Sequence, residues 1–233
     1  MQGYVIFNGG DAFSRDTRPL DRTWLKLLRQ QGDKLPRITV LPTADTFKPQ
    51  KAAYVATQYL NTLNTMTDYK LITTRQEADT RVEYEGLDKV DAIVLTDGSA
   101  LDLIERVQET QTFETMRRAI YERKAAVMGV GASAMALGAV HWFGNAWEPG
   151  FALMPQIAVL AQHNFVRMRF SPERLLAELP EGVTLIGVDP LTALIAYPDG
   201  SYHVAGEGKV TVYRNVKQLD EYETGQNFTL APA

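Results

Sequence analysis

The sequence predicts a single α/β domain of three layers, a mostly parallel sheet between helices with antiparallel edge strands. Short β-branched apolar runs that end in Gly, Asn or Asp alternate with helical stretches over roughly the first 140 residues. The last third instead holds short runs that are separated by Pro-Asp-Gly and Gly-Glu-Gly. A chain of 233 residues can build one sizeable core, so we expect one domain over residues 1–233.

The parallel strands are predicted from apolar runs that begin at the amino terminus. Tyr4–Asp11 predicts the first strand, and residues 22–32 predict a helix that ends at Gly32. Four more runs predict strands, at residues 37–45, 69–74, 91–99 and 125–133. Helical patterns lie between them, at residues 51–63, 100–107 and 112–124.

The carboxyl-terminal third predicts hairpin strands that extend the edge of this sheet, as is common in mixed sheets. Their runs are residues 185–189, 193–198, 202–208 and 209–214. The remaining residues, about 215–233, are polar, and we expect a loose end or a C-terminal arm there.

Composition excludes several classes of function. The 45% apolar and 22% charged shares are those of a soluble globular protein, and the net charge of −4 favours neither nucleic acid nor an anionic membrane as partner. The absence of cysteine excludes disulfides, thiolate zinc sites and a cysteine nucleophile.

No apolar run approaches the roughly 18 residues that span a bilayer, and the amino terminus has no leader pattern, so we expect a cytoplasmic protein. No spacing of Asp, Glu and His predicts a metal site, and no cofactor is expected.

Ser133 is the candidate nucleophile. It stands in the run AAVMGVGASAMALGA, where an apolar strand pattern passes through glycines into alanines. A nucleophile elbow has the pattern G-x-S-x-G because strand and helix crowd each other at the serine. Here Gly131 supplies the leading glycine and Met135 replaces the trailing one. From this motif alone, a helix-capping role for Ser133 is the favoured alternative.

A seryl nucleophile needs a general base, which is nearly always histidine. Of the three histidines, His141 follows the serine helix and His203 lies on a predicted hairpin strand. His163 stands in QHNFVRMRF, near several arginines, and is the strongest candidate.

The order of the motifs NGGD, LPTAD, TDGSALDLI, VGASAMALGA, QHNFVRMRFSPERLL and LIGVDPLTALI resembles the cyanophycinase and dipeptidase E family of serine peptidases. The resemblance covers about residues 3–214. It implies a class I glutamine-amidotransferase-like fold. It also implies a serine-type peptidase or amidohydrolase that acts on a small peptide or isopeptide.

The resemblance assigns roles to individual residues. It places Ser133 on the nucleophile and His163 on the general base, with the amides of Gly98 and Ala134 forming the oxyanion hole. Asp189 and Glu148 are alternative candidates for the acid that orients the histidine. The substrate carboxylate would be bound by three arginines, Arg167, Arg169 and Arg174.

Three departures from the family pattern surround this centre. Asp97 replaces a glycine beside the expected oxyanion hole, Met135 replaces the glycine after the nucleophile, and Pro190 replaces the acid of cyanophycinases. Two hypotheses therefore stay open, an active serine hydrolase and a non-catalytic or repurposed relative that acts in binding or assembly. The second predicts that Ser133 and His163 lie beyond hydrogen-bond reach, or that Met135 or Asp97 fills the cavity. A homodimer is left open.

Overall fold

The computed structural model describes residues 1–29 and 34–230. Within these ranges the strands are β1 (Tyr4–Asn8), β2 (Arg37–Leu41), β3 (Met66–Tyr69), β4 (Ala92–Leu95), β5 (Ala126–Val130), β6 (Val140–Phe143), β7 (Ala146–Pro149), β8 (Ile157–Ala161), β9 (Thr184–Val188), β10 (Thr192–Ala196), β11 (Ser201–Gly206), β12 (Lys209–Tyr213), β13 (Leu219–Glu223) and β14 (Asn227–Thr229). The helices are α1 (Arg18–Arg29), α2 (Pro49–Asn61), α3 (Arg75–Asp79), α4 (Arg81–Tyr84), α5 (Ala100–Val107), α6 (Gln111–Glu122), α7 (Ala132–Ala136), α8 (His163–Val166) and α9 (Pro172–Leu176).

The main sheet has eight strands in the order β14-β11-β10-β1-β5-β4-β2-β3. The strands from β1 to β3 in this order pair in parallel, whereas β10, β11 and β14 are antiparallel additions on the other side of β1. The predicted fold, a mostly parallel sheet with antiparallel edge strands, is confirmed.

Alternate side chains of the central strands enter different cores because the side-chain period of a strand is two. In β1, Ile6 packs in the core that holds Trp24 of α1 and Leu60 of α2. Its neighbours Val5 and Phe7 pack in the opposite core, together with α5, α6 and α7. Helices therefore cover both faces of the sheet, which gives the three predicted layers.

A second, smaller sheet was not expected. It has the order β13-β12-β9-β8, with β8 and β9 parallel and the other pairs antiparallel. The runs at 185–189 and 209–214, predicted to extend the main sheet, form β9 and β12 of this sheet instead. A further hairpin, β6–β7, follows α7.

Other boundaries also differ from the predicted ones. The third strand ends at Tyr69 rather than covering 69–74, because Thr74 caps α3 through a capping box with Glu77. The predicted helix stop at Gly32 lies outside the described residues. The polar segment, predicted to be a loose end or a C-terminal arm, contributes β13 and β14 to the two sheets.

The parallel strands end at one rim, as expected for the site of an open α/β sheet. The loops after β1, β4 and β5 meet there, and α8 approaches the same rim, since the amide of Gln162 donates to the carbonyl of Gly9 at 2.8 Å. Within the described residues, no helix is long and apolar enough to cross a membrane.

Candidate active site

The turn from β5 into α7 is centred on Gly131, two residues before Ser133. Gly131 has φ 55° and ψ −120°, a left-handed conformation that strongly favours glycine. Its amide donates to the carbonyl of Asn8 at 2.9 Å, which fastens the turn to β1. The sharp strand-to-helix turn predicted for Ser133 therefore belongs to residue 131.

The spacing of small residues agrees with this position. A Cβ built on Gly129 would lie 2.6 Å from the carbonyl oxygen of Ser133, so close approach of strand and helix requires the glycine. The crowded positions two before and two after the turn are thus Gly129 and Ser133. The sequence could have predicted this position of the turn. The pattern Gly129-x-Gly131-x-Ser133 has the spacing of an elbow, with glycine at its centre.

Ser133 is fully buried in the first turn of α7. Its Oγ donates to the carbonyl oxygen of Thr96 at 2.5 Å. The amide of Ala134, predicted as an oxyanion donor, bonds to the carbonyl of Gly131 at 3.0 Å. Within the described residues, no hydrogen bond joins Ser133 to His163, so the structure does not bring the predicted pair together.

The Asp97 carboxylate lies against the turn. Its Oδ1 accepts hydrogen bonds from the amides of Gly98 and Ala132, each at 2.8 Å. A Cβ built on Gly131 would lie 2.2 Å from the same oxygen. The amides of Gly98 and Ala132 therefore share this carboxylate as their acceptor.

His163 begins α8 and is 1% exposed. Its Nε2 is joined to the Tyr213 hydroxyl by a hydrogen bond of 2.7 Å. Burial lowers the pKa of His163, and the Arg167 charge adds to this, while Asp189 acts in the opposite direction. Burial raises the pKa of Tyr213 to about 12, so its hydroxyl stays protonated and can donate to the imidazole.

Of the two candidate acids, Asp189 is the neighbour of His163. Its Oδ1 lies 3.5 Å from His163 Nδ1, which is long for a hydrogen bond, and its Oδ2 accepts from the amide of Lys209 at 3.2 Å. Glu148 is exposed on β7, where its register partner is His141. Pro190 supplies only a carbonyl, which accepts from the hydroxyl of Thr192.

The three candidate arginines do not converge. Arg167 lies 3.6 Å from Glu221, and Arg174 donates to the carbonyl of Asn145 and covers the Trp142 ring at 5.6 Å. Arg169 lines the pocket above the turn.

That pocket, called here the elbow pocket, has a volume of about 590 Å³. Asp97, Gly131 and Met135 line it. Its aromatic wall is Trp142, Phe165 and Phe170. Neither Ser133 nor His163 lines it. Among the described residues, no group of three or more Asp, Glu or His side chains could hold a metal ion.

A mostly parallel sheet between helices, with a sharp strand-to-helix turn at its rim, defines the class, a three-layer α/β protein. Comparison with known proteins specifies the family. The family model described as Peptidase family S51 matches residues 9–174. This match covers more than half of the chain, so the chain belongs to peptidase family S51, a family of serine peptidases.

Two solved structures share the fold. A peptidase from an acI-B1 Actinobacterium has a TM-score of 0.83 at 19% identity, over 99% of this chain and 98% of that one. A protein assigned as peptidase E from Listeria monocytogenes EGD-e has a TM-score of 0.57 at 15% identity, over 92% and 99%. No curated protein gives a significant match. The predicted family is confirmed, and membership supports a hydrolase of the peptidase type.

Proposed function

We propose that this member of the family binds short peptides in the elbow pocket, and that Ser133 and His163 do not form a catalytic pair in it. The observation that carries the proposal is the Asp97 carboxylate. It accepts from two backbone amides at 2.8 Å each and stands where a side chain at residue 131 would begin.

Serine peptidase chemistry needs a hydroxyl at the turn, a base within hydrogen-bond reach and an empty pair of amides. At the turn, Gly131 has no side chain. The imidazole Nε2 of His163, which would take the serine proton, is already bonded to Tyr213. A fixed negative charge at the amide pair would also repel the oxyanion of a tetrahedral intermediate.

The elbow pocket has the properties of a peptide-binding site. Its volume of about 590 Å³ lies in the range of small-molecule sites, and aromatic side chains line it. Trp142 packs edge-on against Trp147 and Phe170, with ring centroids 5.0 and 5.5 Å away, so the wall is held in place. Arg169 can pair with a ligand carboxylate, while Asp97 can accept from an ammonium or amide group.

The second candidate is the serine peptidase in which Ser133 attacks with the help of His163. Family membership favours it, as does the proximity of His163 and Asp189. It requires Ser133 to leave the carbonyl of Thr96 and Asp97 to leave its two amides.

One experiment separates the two candidates. The wild type, Ser133→Ala and Arg169→Ala are incubated with L-aspartyl-L-leucine, with binding measured by calorimetry and leucine release by chromatography. The proposal expects peptide binding that Arg169→Ala weakens by about tenfold, since a charge-assisted hydrogen bond is lost. Arg22→Ala, an exposed change on α1, is the matched control and should bind like the wild type.

The outcomes are distinct. Under the proposal, Ser133→Ala changes neither peptide binding nor leucine release, and a fluorophosphonate probe does not label Ser133. Leucine release and probe labelling that both disappear in Ser133→Ala would establish the serine peptidase instead. A wild type that fails to bind the dipeptide would overturn the binding part of the proposal.

A further inference from the structure

A separate cavity, of about 710 Å³, lies at the β3 edge of the main sheet. We call it the β3 cavity. It is lined by residues of β2 and β3 and by the segment that precedes β4, and it shares no residue with the elbow pocket. Its volume lies in the range of small-molecule sites.

The strand side chains that face the β3 cavity are mainly polar. Ile38 of β2 packs in the core with α1 and α2, so Arg37 and Thr39 on either side of it face the opposite side of the sheet. Asp68 of β3 is the register partner of Thr39, whose hydroxyl donates to Asp68 Oδ1 at 2.6 Å. This edge of the sheet therefore carries hydrogen-bonding groups on a face that is apolar in β1.

Two cations lie at one end of the cavity. Arg37 and Lys89 both line it, and the amide of Arg37 donates to the carboxylate of Asp91, two residues after Lys89, at 2.7 Å. In the described ranges, neither cationic side chain has a hydrogen bond or an ion pair within 4.0 Å. A third cation, Lys70, is engaged, because its Nζ donates to the carbonyl of Val82 at 2.6 Å. Arg37 and Lys89 are thus available to an anion, and a guanidinium suits phosphate because it can donate two parallel hydrogen bonds.

Two carboxylates line the cavity beyond these cations. Asp68 lies two residues after Met66, the register partner of Arg37, which is about 6.6 Å along the strand at about 3.3 Å per residue. Glu85 lines the cavity from the loop after α4, where it lies 3.5 Å from Arg81. A second phosphate would be repelled by these carboxylates, whereas sugar hydroxyls can donate to them.

The rest of the lining favours a small polar ligand. Among the described residues that line the β3 cavity, none is aromatic, so the cavity lacks the ring on which a nucleobase usually stacks. Asn61 lines it with its amide already bonded to both backbone groups of Thr67, at 3.1 and 2.9 Å. These residues form a fixed polar wall with no platform for a base, which favours a phosphorylated sugar over a nucleotide.

We propose that the β3 cavity binds a sugar monophosphate. The phosphate would lie at Arg37 and Lys89, and the sugar hydroxyls would donate to Asp68 and Glu85. Cations at one end and acceptors at the other match a ligand with an anion at one end and hydroxyl donors at the other, and such complementarity gives specificity. The inference does not depend on the function proposed for the elbow pocket.

The test uses calorimetric titration with D-glucose 6-phosphate, D-glucose and inorganic phosphate. We expect glucose 6-phosphate to bind the wild type and the two partial ligands to bind at least about tenfold more weakly, because each offers only some of the contacts. The double variant Arg37→Ala/Lys89→Ala should weaken glucose 6-phosphate by at least about tenfold. Both side chains are exposed, so this variant should fold, which a circular dichroism melting curve checks.

Asp68→Asn tests the end of the cavity assigned to the hydroxyls. The new amide oxygen can still accept from Thr39, but it is a weaker acceptor for a sugar hydroxyl than a carboxylate is. Glucose 6-phosphate should bind this variant about threefold more weakly, while inorganic phosphate should bind at least as well as before, because a repelling charge is removed. Glucose 6-phosphate that binds this variant as tightly as the wild type would overturn the placement of the hydroxyls.

Two controls locate the binding. Arg22→Ala/Lys26→Ala removes two exposed cations of α1 and matches the change in net charge, and Arg169→Ala changes a residue of the elbow pocket. Both should bind glucose 6-phosphate like the wild type. The proposal is overturned if glucose 6-phosphate does not bind at millimolar concentration, or if glucose binds equally well. It is also overturned if the α1 double variant weakens binding as much as Arg37→Ala/Lys89→Ala does.

Discussion

The Gly131 turn and the segment around His163 each resemble a different part of a serine peptidase site. The turn keeps the backbone shape, with φ 55° and ψ −120° between strand and helix, but has no side chain at its centre. The His163 segment keeps the imidazole beside a carboxylate, at 3.5 Å from Asp189, but bonds its other nitrogen to Tyr213. In this chain the sharp turn and the imidazole–carboxylate neighbours therefore lie on separate segments.

In both regions one polar group is bonded from within the chain, whereas Nδ1 of His163 has no hydrogen-bond partner among the described residues. Asp97 accepts from the two amides at the turn, while the Tyr213 hydroxyl bonds the buried imidazole. An unpaired buried polar group costs about 1–3 kcal/mol, so the Tyr213 hydroxyl stabilises the buried imidazole.

The largest expected effect on the free energy of unfolding is at the histidine segment, where the absence of a side chain at Gly187 leaves space for the His163 imidazole. A Cβ at residue 187 would lie 2.2 Å from Cδ2 of His163, and both groups are buried. Gly187→Ala should therefore lower the free energy of unfolding by about 2–3 kcal/mol, as overpacking typically does. Urea denaturation measures this change.

The double variant Gly187→Ala/His163→Ala checks the cause. Removing the ring removes the clash, so the two changes should cost less together than the sum of their separate costs. Strictly additive costs would show that the ring is not what Gly187 accommodates.

A smaller effect is expected at the turn. Gly131→Ser places a Cβ in left-handed backbone and 2.2 Å from the exposed Asp97 carboxylate, which can move aside. We expect a loss of about 2 kcal/mol in the free energy of unfolding, from backbone strain and displacement of the carboxylate from its amides.

Gly144→Ser is the matched control, because Gly144 has φ 56° and a Cβ there would meet nothing within 4 Å. It should lose about 1 kcal/mol, the cost of strain alone. Adding Asp97→Gly to Gly131→Ser should bring its loss closer to that of the control. Equal losses for the two single variants would contradict the close contact between residue 131 and Asp97.

The smallest effect is a pH dependence of stability. Burial lowers the pKa of folded His163 below its ordinary value of 6.5, so the unfolded chain binds the proton more tightly. The resulting stability is complete above about pH 6.5 and is lost as the pH falls toward the folded pKa. His163→Gln should flatten this loss in urea denaturation curves collected between about pH 7 and 5.

His141, whose pKa burial also lowers, leaves a residual slope in that variant. His203→Gln is the control, since it removes a histidine that bonds Asn227 at the sheet edge. A slope that His163→Gln leaves unchanged would show that the imidazole is as easily protonated in the folded chain as in the unfolded one.

Sequence reasoning predicted the main sheet but not the second one. Alternation of strands and helices follows from local periodicity, so the parallel order could be expected, whereas the partner of a short hairpin run is decided by distant contacts. The sequence predicts the run at residues 185–189 as an edge strand of the main sheet, whereas it lies between β12 and β8 in the second sheet. It pairs with β8, whose preceding chain folds over α7.

By itself the sequence determined the α/β class and the family, because apolar periodicity and motif order depend only on the order of residues along the chain. Only the tertiary structure decided which residue lies at the centre of the strand-to-helix turn. Gly131 and Ser133 both lie in a run of small residues, and the backbone dihedral angles at the end of β5 distinguish them. The bond between His163 and Tyr213 joins residues 50 positions apart, and the pairing of β9 with β12 creates it. The contact of Asp97 with the amides of Gly98 and Ala132 also depends on the tertiary structure, because the turn that presents these amides exists only in the folded chain.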